Sequence, residues 1–114
     1  MAQLNGSEIL AKALKREGVD ELFFLMGGPM LAAESASIKE GIRCIDVRHE
    51  QAAAMMAQAY SRLQQRPGVC MAASGPATIN LSTGLANALI DCCPVVALGG
   101  ASPILGNGKQ VFQE

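Results

Sequence analysis

The chain has 114 residues, half of them hydrophobic, and a formal net charge of −1, which suits one compact domain with its own core. Its charges are scattered and its aromatic residues few, so it lacks both the basic stripe and the stacking platforms of nucleic-acid-binding proteins. No apolar run reaches the length that spans a bilayer, so we expect neither a nucleic acid nor a membrane as partner.

The N-terminal part of the chain predicts a helix followed by a strand. Residues 7–17 place apolar side chains on one stripe with charges opposite, which is typical of an amphipathic helix. We expect Asn5 or Ser7 to cap this helix and Gly18 to close it. Residues 21–26 (ELFFLM) contain a continuous apolar run, which indicates a strand buried on both faces.

The next segments repeat this alternation. Pro29 suits the first turn of a second helix, which is predicted to end near Gly41. Residues 43–47 predict a strand, and residues 49–63 predict a long helix rich in alanine and methionine. The small side chains of this long helix permit close packing, which favours a position at a subunit interface.

The remaining segments predict one helix between two strands. A turn at Pro67-Gly68 precedes the third strand, at residues 69–73. A helix is predicted at residues 77–91, and a fourth strand at residues 94–98.

This order of elements predicts an α/β fold with a parallel sheet and helices on both faces, because right-handed crossovers join successive parallel strands. We expect residues 1–100 to form this domain and residues 101–114 to form a loop that leads out of it. No predicted helix follows the fourth strand to cover it, so the domain looks truncated.

Ligands of such sheets bind where the carboxyl ends of the strands meet the starts of the helices. Three of the loops at those ends contain glycine, and the fourth carries His49 and Glu50. A glutamate in the first helical turn is ordinarily explained by its interaction with the helix dipole, and a histidine there by ordinary polar contacts. The glycine loops match neither GxGxxG nor the P-loop, which argues against a Rossmann-like nucleotide binder and favours a neutral heterocycle as ligand.

The four cysteines, Cys44, Cys70, Cys92 and Cys93, show neither CxxC spacing nor a zinc pattern, so no metal site is expected on this chain. We interpret all four as reduced, core-type thiols of a cytoplasmic protein, since free thiols are usual in reducing compartments. The N-terminus lacks the basic segment and the apolar run of a signal peptide.

Taken together, these segments resemble the N-terminal, pyrimidine-binding domain of thiamine diphosphate-dependent enzymes, most nearly that of the acetolactate synthases. The resemblance is carried, in this order, by GVDELFF, RHEQAAAMMAQAYSR, SGPATINLSTGLANALIDCCPVV and GNGKQVFQE. It extends almost collinearly over residues 7–114. It implies a flavodoxin-like α/β domain that binds the pyrimidine end of the cofactor, in a parent enzyme that acts on 2-oxo acids.

The resemblance implies one catalytic residue, Glu50, whose carboxylate hydrogen-bonds a ring nitrogen of the aminopyrimidine and activates the cofactor for carbanion formation. His49, beside it in the family motif, receives no chemical step. Leu25 and Met26 stand where the family has tyrosine and proline, and Ala77 replaces the second glycine of its SGPG loop. The implied contacts to the cofactor come from a set of loop residues: Glu50, Met26, Gly27, Gly28, Pro76, Asn80 and Gln113.

The family binds magnesium and the diphosphate with a second α/β domain that carries a GDG motif, which this chain does not contain. The resemblance therefore implies that thiamine diphosphate is shared with a second diphosphate-binding domain or subunit, and that Mg²⁺ is bound elsewhere in the parent enzyme. It also implies a homo-oligomer. The chain is then a fragment, or the small subunit of a split enzyme. The alternative is a non-catalytic isolated domain that only dimerises or docks to a partner.

Overall fold

The computed structural model describes residues 3–113. Met1, Ala2 and Glu114 lie outside the described residues. The first two residues of the predicted domain (residues 1–100) and the last residue of the predicted C-terminal loop (residues 101–114) are therefore not described. Within residues 3–113, no helix has the length and apolar character needed to cross a membrane.

Helices and strands alternate along the chain. In order they are α1 (Gly6–Arg16), β1 (Glu21–Phe24), α2 (Leu31–Lys39), β2 (Arg43–Asp46), α3 (Glu50–Gln64), β3 (Gly68–Ala72), α4 (Pro76–Asn80), α5 (Ser82–Ile90) and β4 (Val95–Gly99). Short 3-10 turns at Gly28–Met30 and Ile104–Gly106 lie in the loops after β1 and β4.

The four strands form one parallel sheet in the order β2-β1-β3-β4. Phe23 of β1 pairs with Ile45 of β2 on one side and with Cys70 of β3 on the other. This sheet, with helices packed around it, confirms the predicted α/β fold. Because β3 returns to lie beside β1, the direction in which strands are added reverses between β1 and β3.

The sheet has a hydrophobic core on each face. The core beneath α3, α4 and α5 consists of Phe23, Val47, Ala53, Ala54, Ala57, Cys70, Ala72, Ala73, Ala77 and Leu81. The core beneath α1 and α2 consists of Leu22, Phe24, Ala33, Ile42, Val69 and Met71. Neighbouring residues of β1 thus enter opposite cores, which is why the strand is apolar at consecutive positions.

Helix α1 begins at a capping box. Asn5 Oδ1 accepts a hydrogen bond from the N–H of Glu8 at 3.0 Å, and Glu8 Oε2 accepts one from the N–H of Asn5 at 2.9 Å. Asn5 is therefore the cap, and Ser7, the other candidate, is not. Gly18 follows the helix with φ +82°, a conformation that glycine adopts without strain, so the predicted helix end is confirmed.

Three predicted elements differ from the structure. Pro29 belongs to the 3-10 turn that precedes α2, so α2 itself begins at Leu31. β1 ends at Phe24, so Leu25 and Met26 belong to the loop that follows it. The single helix predicted at residues 77–91 is two helices, α4 and α5, which meet at Leu81. The N–H of Leu81 bonds to the carbonyl of Thr78, a tighter turn than an α-helix makes, and the Leu81 side chain is anchored in the core.

Two glycines allow α3 to lie close to its neighbours. A Cβ added at Gly68, the first residue of β3, would lie 2.6 Å from the carbonyl carbon of Ala57 and nearer still to its oxygen. A Cβ added at Gly84 of α5 would lie 2.5 Å from the Cβ of Ala54. The position of α3, and of the residues at its start, therefore depends on close contacts that a larger residue would prevent.

All four cysteines are free, but they are not all core thiols. Cys70 is fully buried, whereas Cys92 is exposed. Cys92 follows α5 with φ +53°, and its N–H closes the helix by bonding to the carbonyl of Leu89. The prediction of four core-type thiols is wrong for Cys92, because the chain is turning at this residue and has not yet entered β4.

The buried thiol of Cys70 gives the domain a predicted pH dependence in the alkaline range. Burial raises the pKa of Cys70 from an ordinary value near 9 to about 11. As the pH rises, the unfolded chain loses this proton before the folded chain does. The free energy of unfolding should therefore be undiminished by this thiol below pH 9 and should fall by about 2 kcal/mol towards pH 11. Urea unfolding at several pH values, in the parent and in Cys70→Ala, checks this. An identical pH slope in both proteins would contradict the prediction.

Candidate functional site

The candidate site lies at the carboxyl edge of the sheet. The addition of strands reverses between β1 and β3, and in open parallel sheets such a reversal opens a crevice at the carboxyl ends of the two strands. The loop after β1 contains one predicted site segment, Met26-Gly27-Gly28, and α4, the helix that follows β3, contains another, Pro76 with Asn80. The fold thus brings two separate sequence motifs to one edge.

Glycines let these loops approach each other closely. A Cβ added at Gly27 would collide with the Cβ of Ala73, so the loop after β1 lies directly against the end of β3. A Cβ added at Gly100, after β4, would lie 2.9 Å from Pro29 Cβ and 3.3 Å from the carbonyl carbon of Ala73. In contrast, a Cβ added at Gly28 meets nothing within 4 Å, so this glycine borders open space.

Glu50 is the first residue of α3, which begins soon after β2 ends. Only 8% of its surface is exposed, although it is a carboxylate at the start of a helix. Behind it, Ala53, Ala54 and Ala57 form the fully buried face of α3. The alanine-rich helix therefore places the Glu50 carboxylate at the margin of an apolar core.

The cap of α3 is His49 and not Glu50. His49 Nδ1 accepts a hydrogen bond from the N–H of Gln51 at 3.1 Å, and the His49 carbonyl accepts one from Ala52 at 2.9 Å. Because the histidine satisfies the helix start, the buried position of Glu50 is not explained by capping.

Asn80, at the end of α4, is the hydrogen-bond partner of Glu50. Its Nδ2 donates to Glu50 Oε2 at 2.9 Å across 30 residues of sequence. A carboxylate offers about four lone-pair positions, so one amide leaves most of its capacity unused. Two predicted site residues, Glu50 and Asn80, are thus in direct contact.

No cation neutralises Glu50 among residues 3–113. Arg48, the basic residue nearest to it in sequence, pairs with Asp46 at 3.1 Å on the exposed surface. Carboxylates are rarely buried without a paired charge, and a buried group of this kind at the edge of a parallel sheet is a candidate for ligand binding or catalysis.

Gln113 lies near the start of α4 through its backbone. Gly75 has φ +59°, and a Cβ added there would lie 2.5 Å from the Gln113 carbonyl oxygen, so glycine is needed for both conformation and space. A cavity of about 370 Å³ lies beside this contact. It is lined by Ser74, Gly75, Gly100, Ala101, Ser102, Ile104, Asn107 and Gln113.

Three other predicted site residues are exposed at the same edge. Met26 and Gly28 lie on the loop after β1, and Pro76 is the first residue of α4. A second cavity, of about 330 Å³, lies at the opposite end of the sheet, near the amino ends of the strands. Its lining includes Tyr60 and Arg66 and none of the predicted site residues.

Sequence reasoning missed how these residues depend on one another. Histidine is an uncommon N-cap, so nothing in the sequence identified His49 as the residue that caps α3. Glu50 and Asn80 belong to two different motifs. The order of these motifs along the chain does not tell how close their side chains lie in the folded domain. Thr78 was also missed: its Oγ1 donates to the Ala73 carbonyl at 2.5 Å and ties α4 to the end of β3.

Comparison with protein families gives a match over nearly the whole chain. Residues 4–114 match the family described as "Thiamine pyrophosphate enzyme, N-terminal TPP binding domain". The matched segment includes every predicted site residue, from Met26 to Gln113.

Curated relatives agree with the family match. The chain is 43% identical over 110 residues to acetolactate synthase 2, chloroplastic, of Nicotiana tabacum, which covers 96% of this chain and 17% of the relative. It is 42% identical over 111 residues to the acetolactate synthase isozyme 2 large subunit of Escherichia coli (strain K12), covering 97% and 20%. It is 38% identical over 112 residues to 2-hydroxyacyl-CoA lyase 1 of Mus musculus, covering 98% and 19%. The chain thus spans a fifth or less of the length of these relatives.

Proposed function

Because the chain belongs to the family of N-terminal thiamine pyrophosphate-binding domains of thiamine pyrophosphate enzymes, we propose that it supplies the catalytic glutamate of a longer enzyme that acts on 2-oxo acids. Glu50 is that residue. Its role is to hydrogen-bond a ring nitrogen of the aminopyrimidine of thiamine pyrophosphate, also called thiamine diphosphate. When bound, this cofactor supplies an electron sink for making or breaking a carbon–carbon bond next to a carbonyl group.

The observation that carries the proposal is the burial of the Glu50 carboxylate and its lack of a cationic partner within residues 3–113. The helix-dipole interaction that any glutamate in a first helical turn can make does not require burial. A carboxylate at the margin of an apolar core binds an N–H donor strongly, because little water competes for the hydrogen bond. The acceptor at this edge therefore supports an aminopyrimidine ring as ligand, because a protonated ring nitrogen donates such a hydrogen bond.

The glycine loops support the same ligand. Gly28 borders open space, so a flat heterocycle could approach the backbone there without meeting a side chain of this residue. In the proposal, Met26, Gly27 and Gly28 contact the cofactor from one side, and Pro76, Asn80 and Gln113 contribute from the other. The assignment of these contacts rests on the family resemblance and on their common position at the carboxyl edge of the sheet.

The diphosphate and its Mg²⁺ are assigned to another part of the assembly, because the glycine loops after β1 and β3 contain no basic residue. A second domain or subunit would hold them, and a homo-oligomer would bring the two halves of the site together. Exposed apolar side chains on α3, α4 and α5 suit such a contact: Met55, Met56, Ile79, Leu89 and Ile90.

The reaction class follows the relatives and is also part of the proposal. The printed names of the relatives include synthases and a lyase, so a transferase or lyase reaction of a 2-oxo acid is favoured. The predicted cytoplasmic location is not confirmed, since several relatives are described as chloroplastic.

Removal of the cofactor tests the proposal. The full-length protein that contains this chain, stripped of cofactor and metal by dialysis against a chelator, should consume its 2-oxo acid substrate only after both thiamine diphosphate and Mg²⁺ are restored. Cofactor binding is followed in parallel by isothermal titration calorimetry. Failure of the full-length protein to bind thiamine diphosphate would overturn the proposal and would favour the alternative, a non-catalytic domain that dimerises or docks through its apolar helices.

A further inference from the structure

We propose that Asn80 is a positioning residue for Glu50: its side-chain amide holds Oε2, so that Oε1 is the oxygen presented to the cofactor ring. This inference deepens the proposed function and rests on it. It differs from the role that the family resemblance gives Asn80, which is a contact to the cofactor itself.

The geometry at Glu50 supports a positioning role. The Asn80 amide and the Glu50 carboxylate are 2.9 Å apart, which is a normal hydrogen-bond length. Glu50 has three rotatable side-chain bonds, and no cation among residues 3–113 restrains it. A hydrogen bond from a fixed neighbour therefore selects one rotamer and one orientation of the carboxylate.

Asn80 is itself held by the local structure of α4. Gly75, whose positive φ turns the chain, precedes this helix, and Thr78 ties the helix to the Ala73 carbonyl. It ends where Leu81 enters the core and interrupts the hydrogen-bond pattern. Asn80, the exposed last residue of α4, thus lies between two anchored residues, Thr78 and Leu81.

The packing of α5 against α3 sets the distance between the two side chains. Gly84 of α5 lies against Ala54 of α3, one helical turn beyond Glu50. Because neither residue has a side chain larger than a methyl group, the two helices approach closely enough for a short asparagine to reach a glutamate at the start of α3.

The test is a double-mutant cycle in the full-length protein, with exchange of the thiamine diphosphate C2 proton measured by NMR. Asn80→Ala is expected to slow exchange about 10- to 100-fold, the size expected when a catalytic group is misplaced. The same substitution in a Glu50→Gln background should change exchange by less than about twofold, because the carboxylate that Asn80 positions is already gone. Independent, additive effects of the two substitutions would overturn the inference.

Asn87→Ala is the matched control. Asn87 is also an asparagine that reaches from α5 to α3, where its Nδ2 donates to Gln58 Oε1 at 2.7 Å. It lies two turns further along the helices than Asn80, so its loss should leave C2 exchange within about twofold of the parent. If Asn87→Ala slowed exchange as much as Asn80→Ala, the effect would come from helix packing and the inference would fail.

A second readout needs no cofactor. In crystal structures of the cofactor-free full-length protein, the Glu50 side chain should keep one orientation in the parent and adopt several in Asn80→Ala. An unchanged single orientation in the variant would overturn the positioning role. The two proposals can fail separately. Unchanged C2 exchange in Glu50→Gln would overturn the proposed function. Slowed exchange in Glu50→Gln together with normal exchange in Asn80→Ala would overturn only the role of Asn80.

Discussion

Glu50→Gln in the full-length protein should slow exchange of the thiamine diphosphate C2 proton by about 10²- to 10⁴-fold, the range that a positioned acid–base group contributes. Glutamine keeps the length of the side chain and one carbonyl oxygen, so the Asn80 amide keeps an acceptor. What is lost is the charge and one oxygen at a site where little water can substitute for them. The measurement is hydrogen–deuterium exchange at C2, followed by NMR.

The fold should survive this substitution. His49 caps α3 without help from Glu50, so the free energy of unfolding should change by less than about 1 kcal/mol. Glu40→Gln is a suitable control, because Glu40 forms a surface ion pair with Lys12 on the opposite face of the sheet and should leave exchange unaffected. Normal C2 exchange in Glu50→Gln would show that this carboxylate does not activate the cofactor.

Gly68→Ala should destabilise the domain by roughly 2–4 kcal/mol, at or above the usual cost of overpacking a core. The new methyl group would lie 2.6 Å from the Ala57 carbonyl carbon and 3.0 Å from the Ala57 Cα. These are backbone atoms in the middle of α3, so no side chain can rotate to make room. The helix or the strand would have to shift, and urea unfolding followed by circular dichroism measures the cost.

Gly6→Ala is the matched control for this prediction. A Cβ added at Gly6 meets nothing within 4 Å, and Gly6 lies in the first turn of α1. Alanine favours a helix more than glycine does, so this variant should be as stable as the parent or slightly more stable. Equal stability of Gly68→Ala and Gly6→Ala would mean that α3 does not pack against β3 as closely as the structure has it.

The fold could be predicted because its signals are local. The apolar run of β1, the glycine after α1 and the alternation of helix with strand each come from residues close together in the sequence. These signals are enough for a parallel α/β sheet, since the handedness of the crossovers excludes most other connections. They also place Glu50 at the carboxyl edge of the sheet, where ligands bind.

Other features depend on contacts between distant residues and could not be predicted. Nothing near Gly68 in sequence indicates that it faces the backbone of Ala57, and nothing near Asn80 indicates that it bonds to Glu50. The break at Leu81 coincides with the burial of its side chain against residues of other elements. In each case the deciding partner lies in another element, so only the assembled fold reveals it.

The position of β4 has a practical consequence for work on the 114-residue chain by itself. Among the described strands β4 pairs only with β3, so one side of its backbone is left without a neighbouring strand, and Val96 is 44% exposed. The strand sequence, VVALG, carries no charge and no proline that would discourage another molecule from adding to it. Self-association through this strand would rise with protein concentration, so solution studies of the isolated chain should be made at low concentration.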